Sequence, residues 1–333
     1  MRSAFRQSVI VLTAGAAVAI IIVLSMQLLS SRVITEESNQ SEASGPNISI
    51  LTSDAIRDQS WGSFAFTSQV MIRDEFGIQA ELHPELTTET LRDYRTAKEA
   101  EDGADMIIGH GREFAATFAE YAPQYPEVEF VSLHGETNHD NHTVYTFDVA
   151  PTEVLAMTAA TIKSESGSVG VLSKYGDWRS RELVEERLQE LDTELHYEVV
   201  EDRNDTEKAM EALERLRDAG ADVIYSRGNT FNRYVIQQAA EDDFYVIGFI
   251  DDQSYLSREH VLTSIVNNVP LVYEKIMTDY LSEEGLTGGT VELSAEDGVF
   301  YLAPFGPMFS EADMDELKKH DSRVLRHLYD GSR

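Results

Sequence analysis

The two tryptophans of this sequence offer the first hint of binding chemistry. Trp61 and Trp178 lie 117 residues apart, and the chain has no third tryptophan. A flat indole face can stack on the ring of a small planar ligand, and stacking tolerates many ligand identities. Two equivalent positions would place two such faces across one cleft. Each indole could equally be half-buried against the sheet of its own domain, and the spacing leaves both interpretations open.

His110 is the next candidate, because it lies between Gly109 and Gly111 directly after the apolar run 106–108. An imidazole at the end of a buried strand can donate a hydrogen bond to a ligand or change its charge near neutral pH. It can also make a purely structural hydrogen bond. The sequence does not choose between ligand contact and structural support.

Three further histidines form a cluster whose spacing is compatible with metal binding. His134, His139 and His142 lie close together, with Asn138 and Asp140 between them. Polar residues at this density are typical of a loop, whereas a structural zinc site needs a fixed tetrahedral set of ligands. The sequence therefore predicts a solvent-exposed loop here and no metal site.

Signatures of catalysis are missing from the sequence. It contains no Gly-x-x-x-x-Gly-Lys-[Ser/Thr], Gly-x-Ser-x-Gly or His-Glu-x-x-His motif. It also has no cysteine that could act as a nucleophile or a metal ligand. The 59 Asp and Glu residues are too numerous for any one carboxylate pair to indicate catalysis. We therefore expect a protein that is not an enzyme and that needs no cofactor.

Acidic residues dominate the charge balance. The 27 Lys and Arg residues oppose 59 Asp and Glu residues, which gives a formal net charge of −32. Proteins grip nucleic acid with clustered Lys and Arg side chains, so a surface this acidic repels the phosphate backbone. The balance argues against direct nucleic-acid binding. It fits saline or extracellular surroundings, where salt screens the self-repulsion of the protein.

The segments that must position these residues alternate between short β-rich runs and helical stretches, which indicates βαβ units and parallel sheets. A repeat at an offset of 117 residues indicates two such lobes, because residues 103–105 and Phe114 recur as residues 220–222 and Phe231. The repeated glycine follows a helix, where it permits a left-handed cap. Loops after parallel strands face the ligand side of a sheet, so we expect functional groups directly after the strands.

The predicted fold class is therefore α/β, with two Rossmann-like lobes that each contain a parallel sheet. The predicted boundaries are 48–149 plus about 265–290 for lobe 1, 150–264 plus about 291–309 for lobe 2, and 310–333 for a C-terminal helix. Ser310 and Asp313 have the spacing of a helix N-cap and its acidic partner.

The N-terminal segment is the most apolar part of the sequence. Residues 7–31 carry no charged side chain, and their number suffices to cross a bilayer. Because Arg2 and Arg6 precede them, we expect a cytoplasmic tip at 1–6, a transmembrane helix, a linker at 32–47 and a globular part outside the cell. Cleavage of the segment as a signal peptide, which would secrete the protein, stays open as the alternative.

Several motifs together resemble the basic membrane protein family of solute-binding lipoproteins. They are Asp58-Gln59-Ser60-Trp61, which is similar to the Asp-x-Ser-Phe motif of that family, and residues 103–109, 125–130, 252–256 and 302–305. The resemblance covers about residues 48–310 and is strongest to the Med-type positive regulators of competence. It implies a type I periplasmic-binding-protein fold whose lobes close on a purine nucleoside, with delivery to an ABC permease.

The resemblance also implies a ligand site. In the pattern of the family, Asp58 would hold a polar edge of the base, Trp61 would replace the stacking phenylalanine, and Gly109 would line the cleft. Ten candidate ligand-binding residues follow from the resemblance, from the repeat and from the loops after strands. They are Asp58, Ser60, Trp61, Gly109, His110, Phe114, Trp178, Phe231, Asp252 and Asn267.

Two positions depart from the nucleoside-binding pattern. Ile250 stands where transport-type members have an aspartate, and Asn267 stands where they have a lysine. In those members the charged groups would hold the ribose. Residues 28–32 also lack the cysteine that ends a lipobox. These differences leave an alternative open, in which a regulatory protein or sensor uses the same fold without transport.

Overall fold

A computed structural model describes residues 45–57, 61–174, 176, 178–201, 205–228 and 230–320. The chain from Pro46 onward belongs to one compact unit. Its described residues form two six-stranded sheets, each packed against helices. The prediction of two α/β lobes is confirmed.

The elements follow one another along the chain as strands β1 to β12 and helices α1 to α9. The strands are β1 (Ile48–Leu51), β2 (Ala80–His83), β3 (Met106–Gly109), β4 (Glu129–Leu133), β5 (His142–Phe147), β6 (Ser168–Ser173), β7 (Glu194–Val199), β8 (Val223–Arg227), β9 (Tyr245–Ile250), β10 (Val261–Asn267), β11 (Gly289–Leu293) and β12 (Phe300–Leu302). The helices are α1 (Trp61–Met71), α2 (Glu89–Glu101), α3 (Glu113–Tyr121), α4 (Ala150–Lys163), α5 (Arg181–Glu190), α6 (Thr206–Asp218), α7 (Asn232–Asp242), α8 (Val269–Tyr280) and α9 (Glu311–His320).

Parallel pairing dominates both sheets. In lobe 1 the strand order is β11-β5-β4-β3-β1-β2, and every pair is parallel. In lobe 2 the order is β12-β10-β9-β8-β6-β7, and only β12 is antiparallel to its neighbour. In lobe 1, β2 and β3 lie on opposite sides of β1, and in lobe 2, β7 and β8 lie on opposite sides of β6. Such a change of direction in the strand order leaves a crevice at the carboxyl ends of the strands.

Local sequence explains these elements. The strands β1, β3 and β6 are short apolar runs in which every residue is buried, as expected for strands with helices on both faces. Gly103 and Gly220 follow α2 and α6 with φ values of 87° and 101°. Their amides donate to the carbonyl oxygens of Ala100 and Arg217. A residue with a Cβ atom adopts this backbone conformation at a cost, which explains the repeated glycine.

The chain crosses between the lobes three times. It passes to lobe 2 between Phe147 and Ala150, returns to lobe 1 after Asn267, and enters lobe 2 again between Leu293 and Phe300. The second and third crossings lie a few residues later than the predicted boundaries. The reason is strand pairing, because β10 stays paired with β12 up to Asn267 and β11 stays paired with β5 up to Leu293.

The end of the described chain is a helix with a defined start. The Ser310 Oγ atom accepts a hydrogen bond from the Asp313 amide, and the Asp313 carboxylate accepts one from the Ser310 amide. This reciprocal capping box is the arrangement expected from the spacing of the two residues. The described part of the helix ends at His320.

Within the described residues, no helix has the length and apolar character needed to cross a membrane. The predicted transmembrane segment at 7–31 and the predicted tip at 1–6 lie outside the described residues. The candidate ligand residues Asp58 and Ser60 lie outside them as well.

Candidate functional site

A cavity lies between the two lobes at the carboxyl ends of their strands. Its volume is about 170 Å³, which admits a small molecule. The described walls are formed in lobe 1 by Trp61, Gly111, Arg112, Glu113, His134 and Phe147, at the first crossover by Val149, and in lobe 2 by Lys174, Arg179, Ser180, Arg227, Phe249, Ile250, Asn267 and Phe300. Most of these residues end a strand or follow one closely, where the sequence predicts functional groups.

Trp61 forms part of the lobe 1 wall and is fixed by its neighbours. It is the first residue of α1, and its indole N–H donates to the carbonyl oxygen of His110 at 3.1 Å. The indole and imidazole rings lie with centroids 4.7 Å apart. A tryptophan whose polar edge is already bonded presents its face to a ligand without reorganisation.

His110 supports Trp61 from behind. The side chain is fully buried, with Nε2 2.8 Å from the carbonyl oxygen of Trp61 and Nδ1 2.9 Å from the hydroxyl of Tyr273. A carbonyl oxygen only accepts, so Nε2 carries the proton, and in the neutral ring Nδ1 accepts from the tyrosine. The hydrogen bonds join the start of α1, the end of β3 and α8. His110 is therefore a positioning residue in this structure.

Trp178 occupies the matching place in lobe 2 but faces inward. Only 5% of its surface is exposed, and its indole N–H donates to Glu153 Oε2 at 2.8 Å. Its ring stacks on Tyr197, with centroids 5.6 Å apart. The described residues that line the cavity do not include Trp178. Of the two predicted aromatic faces, the structure brings only Trp61 to the cavity.

The Glu153 carboxylate accepts three hydrogen bonds inside lobe 2. This α4 carboxylate is fully buried, and besides Trp178 it accepts from the Tyr225 hydroxyl and from Arg227 Nε, each at 2.8 Å. Burial acts to lower the pKa of Arg227, but the attraction of Glu153 and the hydrogen bonds leave that pKa raised. Arg227 therefore stays charged and reaches the cavity wall with its guanidinium held in place.

Basic side chains outnumber acidic ones in the described cavity lining. The basic lining residues are Arg112 in lobe 1 and Lys174, Arg179 and Arg227 in lobe 2, while Glu113 is the one acidic residue in the described lining. Burial, and then the charges of Arg112, Arg179 and Lys174, lower the pKa of His134 to about 3. His134 is therefore neutral at physiological pH.

The prediction of a solvent-exposed histidine loop is wrong for His142, which lies in a strand. His142 is the first residue of β5, is fully buried, and has Nε2 3.0 Å from the Ser132 hydroxyl. His134 lies in the cavity wall. The prediction failed because β5 begins at His142, where pairing with Phe130 of β4 carries the side chain into the lobe. His134 and His139 both lie in the connection between β4 and β5, and both are partly buried.

Three other candidates lie in the interior of their lobes. Phe114 and Phe231 are fully buried, and neither belongs to the described cavity lining. A Cβ atom added at Gly109 would lie 2.3 Å from the Cβ of Phe114. The glycine therefore makes room for the helix that follows β3. The recurrence of Phe114 as Phe231 thus reflects packing of a helix start against its sheet.

The end of lobe 2's sheet contributes two neutral residues to the cavity. Asn267 is 9% exposed, and its Oδ1 atom has no hydrogen-bond partner among the described residues. Ile250 has a φ of 82°, a left-handed conformation that β-branched residues rarely adopt. Asp252 lies in the turn after β9, where its carboxylate accepts from the Ser254 amide. It does not belong to the described lining.

One group of side chains in the described chain has the spacing of a metal site. Glu81, His83 and Glu99 bring their ligand atoms within 4.8 Å of one another at the β2 edge of lobe 1. Glu99 already accepts from Ser49 Oγ at 2.7 Å and from Arg95 at 3.1 Å. These donors compete with a cation for the same carboxylate, and the group lies outside the cavity lining.

The basic side chains of the cavity were not predicted from the sequence. Arg112, Lys174 and Arg227 are far apart in the chain, and single cations in an acidic sequence resemble ordinary surface residues. Their position carried the signal, since Arg112 follows β3, Lys174 follows β6 directly and Arg227 ends β8. The rule that functional groups follow parallel strands would have selected all three.

Two parallel α/β lobes, three crossovers and a cavity between the lobes define the class of two-lobed periplasmic-binding-protein-like folds. The particular family follows from the sequence comparison. The chain belongs to the Bmp family, described as ABC transporter substrate-binding protein PnrA-like, whose model matches residues 46–328.

The similar proteins include transcriptional activators as well as a solute-binding protein of an ABC transporter. The transcriptional activator protein med of Bacillus subtilis is 27% identical over 280 residues, which cover 82% of this chain and 86% of that protein. A crystal structure of a transcriptional activator of the comK gene from Bacillus halodurans is similar with a TM-score of 0.75 and 23% identity, covering 86% of this chain and 99% of that one. An ABC transporter solute-binding protein from Aeropyrum pernix K1 has a TM-score of 0.68 and 17% identity, covering 84% and 87%.

Proposed function

We propose that this protein is a solute-binding protein of an ABC-type uptake system, which holds a nucleoside-like small molecule between its two lobes. The observation that carries the proposal is the interlobe cavity, which is lined by Trp61 and by residues that end or follow strands of both sheets. Family membership supports the transport role. We expect no catalytic activity from this site.

The proposed binding mode uses two residues that line the cavity, Trp61 and Asn267. A planar ring would stack on Trp61, whose orientation is fixed by its bond to His110. The unpartnered Oδ1 of Asn267 would accept a hydrogen bond from a ligand N–H or O–H group. An acceptor left unpaired in a buried site costs about 1–3 kcal/mol, so a donor on the ligand gains by pairing with it.

Closure of the lobes would complete the site. The three crossovers between Phe147 and Ala150, after Asn267, and between Leu293 and Phe300 are the segments that connect the sheets. A few residues at such positions absorb the backbone changes of hinge closure. Because both lobes supply lining residues, closure would bring the wall with Arg227 toward the wall with Trp61.

The direct test is a thermal-shift screen of the purified full-length chain against a panel of nucleosides and sugars. We expect at least one ligand to raise the melting temperature, because a ligand that binds only the folded state stabilises it. The Trp61→Ala variant should lose most of that shift. If no ligand in the panel stabilises the chain, the proposed function is contradicted.

We further propose that residues 7–31 anchor the protein in the membrane with the globular part outside the cell. The support is the uncharged apolar run and the arginines that precede it. Protease added to intact cells should degrade the globular part. A globular part that becomes accessible only after lysis would contradict this orientation.

A regulatory sensor is the second candidate function. It is favoured by two neutral residues in the cavity, Ile250 and Asn267, at positions where transport-type members carry charge, and by the name of the med relative. A deletion strain should then show an altered transcriptome with unchanged solute uptake. An unchanged transcriptome would contradict the regulatory role, whereas reduced uptake of a nucleoside would support transport.

A further inference from the structure

The edge strand of the lobe 1 sheet ends in a histidine with an unpaired ring nitrogen. His83 is the last residue of β2 and is only 8% exposed. Its Nε2 atom has no hydrogen-bond partner among the described residues. Buried nitrogen atoms in folded proteins are nearly always paired, either with a protein group or with a bound ion or water. The surroundings of His83 therefore indicate which partner fits.

Two carboxylates flank this nitrogen. Glu81 lies two residues before His83 on the same strand, so both side chains project from one face of the sheet. The Nε2 atom lies 3.7 Å from Glu81 Oε1 and 3.3 Å from Glu99 Oε1. All three ligand atoms lie within 4.8 Å of one another. Ligands at about 2.0–2.1 Å from a tetrahedral zinc ion lie about 3.3 Å apart, so these atoms nearly have the spacing that such an ion imposes.

Glu99 is held in place by hydrogen bonds of the kind that orient metal ligands. Ser49 on β1 donates to Oε2 at 2.7 Å, and Arg95 donates to Oε1 at 3.1 Å. Burial acts to raise the pKa of Glu99, but these hydrogen bonds and the neighbouring charges leave that pKa lowered. Glu99 is therefore a carboxylate at neutral pH, the form that binds metal.

Arg95 competes for Oε1 without closing the site. A carboxylate offers about four lone-pair sites on its two oxygens, so Glu99 can accept from Ser49 and still bind an ion through Oε1. The Arg95 side chain is 29% exposed and can turn toward solvent. The competition therefore lowers the affinity for a cation rather than preventing its binding.

Lobe 2 provides a natural comparison, because its edge strand β7 repeats the sequence Glu-Leu-His as residues 194–196. His196 Nε2 lies 3.8 Å from Glu194 Oε1. The third carboxylate is replaced, since Leu216 stands 117 residues after Glu99. A Cβ atom added at Gly170 would lie 3.3 Å from the Cβ of Leu216. Among its described residues, lobe 2 has no group of three such ligands.

We propose that Glu81, His83 and Glu99 bind a divalent transition-metal ion, with Zn²⁺ as the best chemical fit. An imidazole ligand disfavours Mg²⁺ and Ca²⁺, which prefer oxygen ligands alone. Three protein ligands leave a fourth position for water. The ion would pair the His83 nitrogen and join α2 to the edge strand β2. The inference is independent of the proposed solute-binding function, since the three residues lie outside the described cavity lining.

The test is calorimetry with ZnCl₂ on the metal-free, tag-free full-length chain. Physiological salt and excess Mg²⁺ screen and occupy the diffuse acidic surface, so only a selective site is measured. We expect one saturable Zn²⁺ site. Zn²⁺ should also raise the melting temperature, because β2 and α2 bring the three ligands together only in the folded chain.

Matched variants locate the site. Glu81→Gln and His83→Gln should each weaken Zn²⁺ binding by about tenfold or more. The Glu81 side chain is 71% exposed, so Glu81→Gln should fold normally even if His83→Gln does not. Glu194→Gln and His196→Gln make the same changes on the edge strand of lobe 2 and should alter the affinity less than about twofold.

The outcomes are distinct from those of the nucleoside and sugar panel. Saturable Zn²⁺ binding that is weakened by the lobe 1 variants and not by the lobe 2 variants supports the inference. The inference is overturned if Zn²⁺ does not bind, if Mg²⁺ displaces it, or if Glu81→Gln has no more effect than Glu194→Gln. None of these results changes the expected stabilisation of the chain by a solute.

Discussion

Trp61 and Trp178 occupy equivalent positions in the two lobes, but their hydrogen-bond acceptors and their burial differ. Trp61 donates to a backbone carbonyl oxygen, that of His110, and lines the cavity. Trp178 donates to the buried carboxylate of Glu153 and is almost completely enclosed. A repeat therefore predicts where a residue lies in the fold, while the nearest strong acceptor decides which way its side chain points.

The same difference separates the two walls of the cavity. In lobe 1 a neutral chain of hydrogen bonds, from Tyr273 through His110 to Trp61, supports an aromatic face. In lobe 2 an ion pair between Glu153 and Arg227 supports a charged wall. Lobe 1 therefore offers a stacking surface, and lobe 2 offers an anchored cation.

The largest expected effect breaks the ionic support of lobe 2. Glu153→Gln leaves the buried end of the lobe 2 ion pair uncharged and the partly buried Arg227 without its counter-charge, and we expect a loss of about 3–5 kcal/mol in the free energy of unfolding. Tyr273→Phe, the matched change in lobe 1, removes one neutral hydrogen bond and should cost about 1 kcal/mol. Urea denaturation measures both values.

A double variant is the control for that result. Glu153→Gln combined with Arg227→Met removes both charges and should be more stable than Glu153→Gln alone. If Glu153→Gln lowers the free energy of unfolding by less than about 1 kcal/mol, the carboxylate does not support the lobe 2 wall. The proposed difference between the two lobes would then be wrong.

The next effect concerns nucleoside affinity at the two neutral cavity positions. Ile250→Asp with Asn267→Lys introduces the charges that transport-type members carry, and should tighten binding of adenosine, guanosine or inosine by about 10²-fold through two charge-assisted contacts. The left-handed backbone at Ile250 favours aspartate over isoleucine, so the exchange is sterically compatible. Calorimetry measures the affinities.

Ile250→Asn is the matched control, since it has nearly the same shape as Ile250→Asp without the charge. If the double variant folds and binds all three nucleosides no better than the natural chain, the assignment of this cavity as a nucleoside-type site is wrong.

A smaller effect is the pH dependence contributed by the lobe 1 histidines. Burial lowers the pKa of His142 to about 4, with a further contribution from His139, and the pKa of His134 is about 3. The unfolded chain, with an ordinary histidine pKa near 6.5, binds more protons below that pH. Stability from these groups is therefore complete above about pH 6.5 and declines as the pH falls toward 4.

His142→Gln tests this sign. Each buried histidine should cost up to about 1.4 kcal/mol per pH unit below its unfolded pKa, so the variant should show a shallower fall in unfolding free energy between pH 6.5 and pH 5. Urea denaturation at both pH values measures the slope. Equal slopes in the variant and the natural chain would contradict the assigned burial effect.

Much of the fold was accessible from the sequence, because periodicity and glycine positions report backbone needs. The two lobes, the parallel strands and the left-handed helix ends at Gly103 and Gly220 follow from such local signals. Side-chain direction did not follow, because it depends on contacts between distant segments. Phe114 and Phe231 pack inward against their sheets, and His142 enters the core through its pairing with β4.

The most direct test of the central claim uses the two tryptophans as internal probes. Trp178→Phe leaves Trp61 as the single indole, and Trp61→Phe leaves Trp178. Each variant is titrated, with fluorescence as the readout, with the panel ligand that most stabilises the natural chain. We predict a saturable change in intensity or emission wavelength for the chain that retains Trp61 and no change for the chain that retains Trp178. A response from Trp178 with none from Trp61 would contradict the placement of the ligand in this cavity.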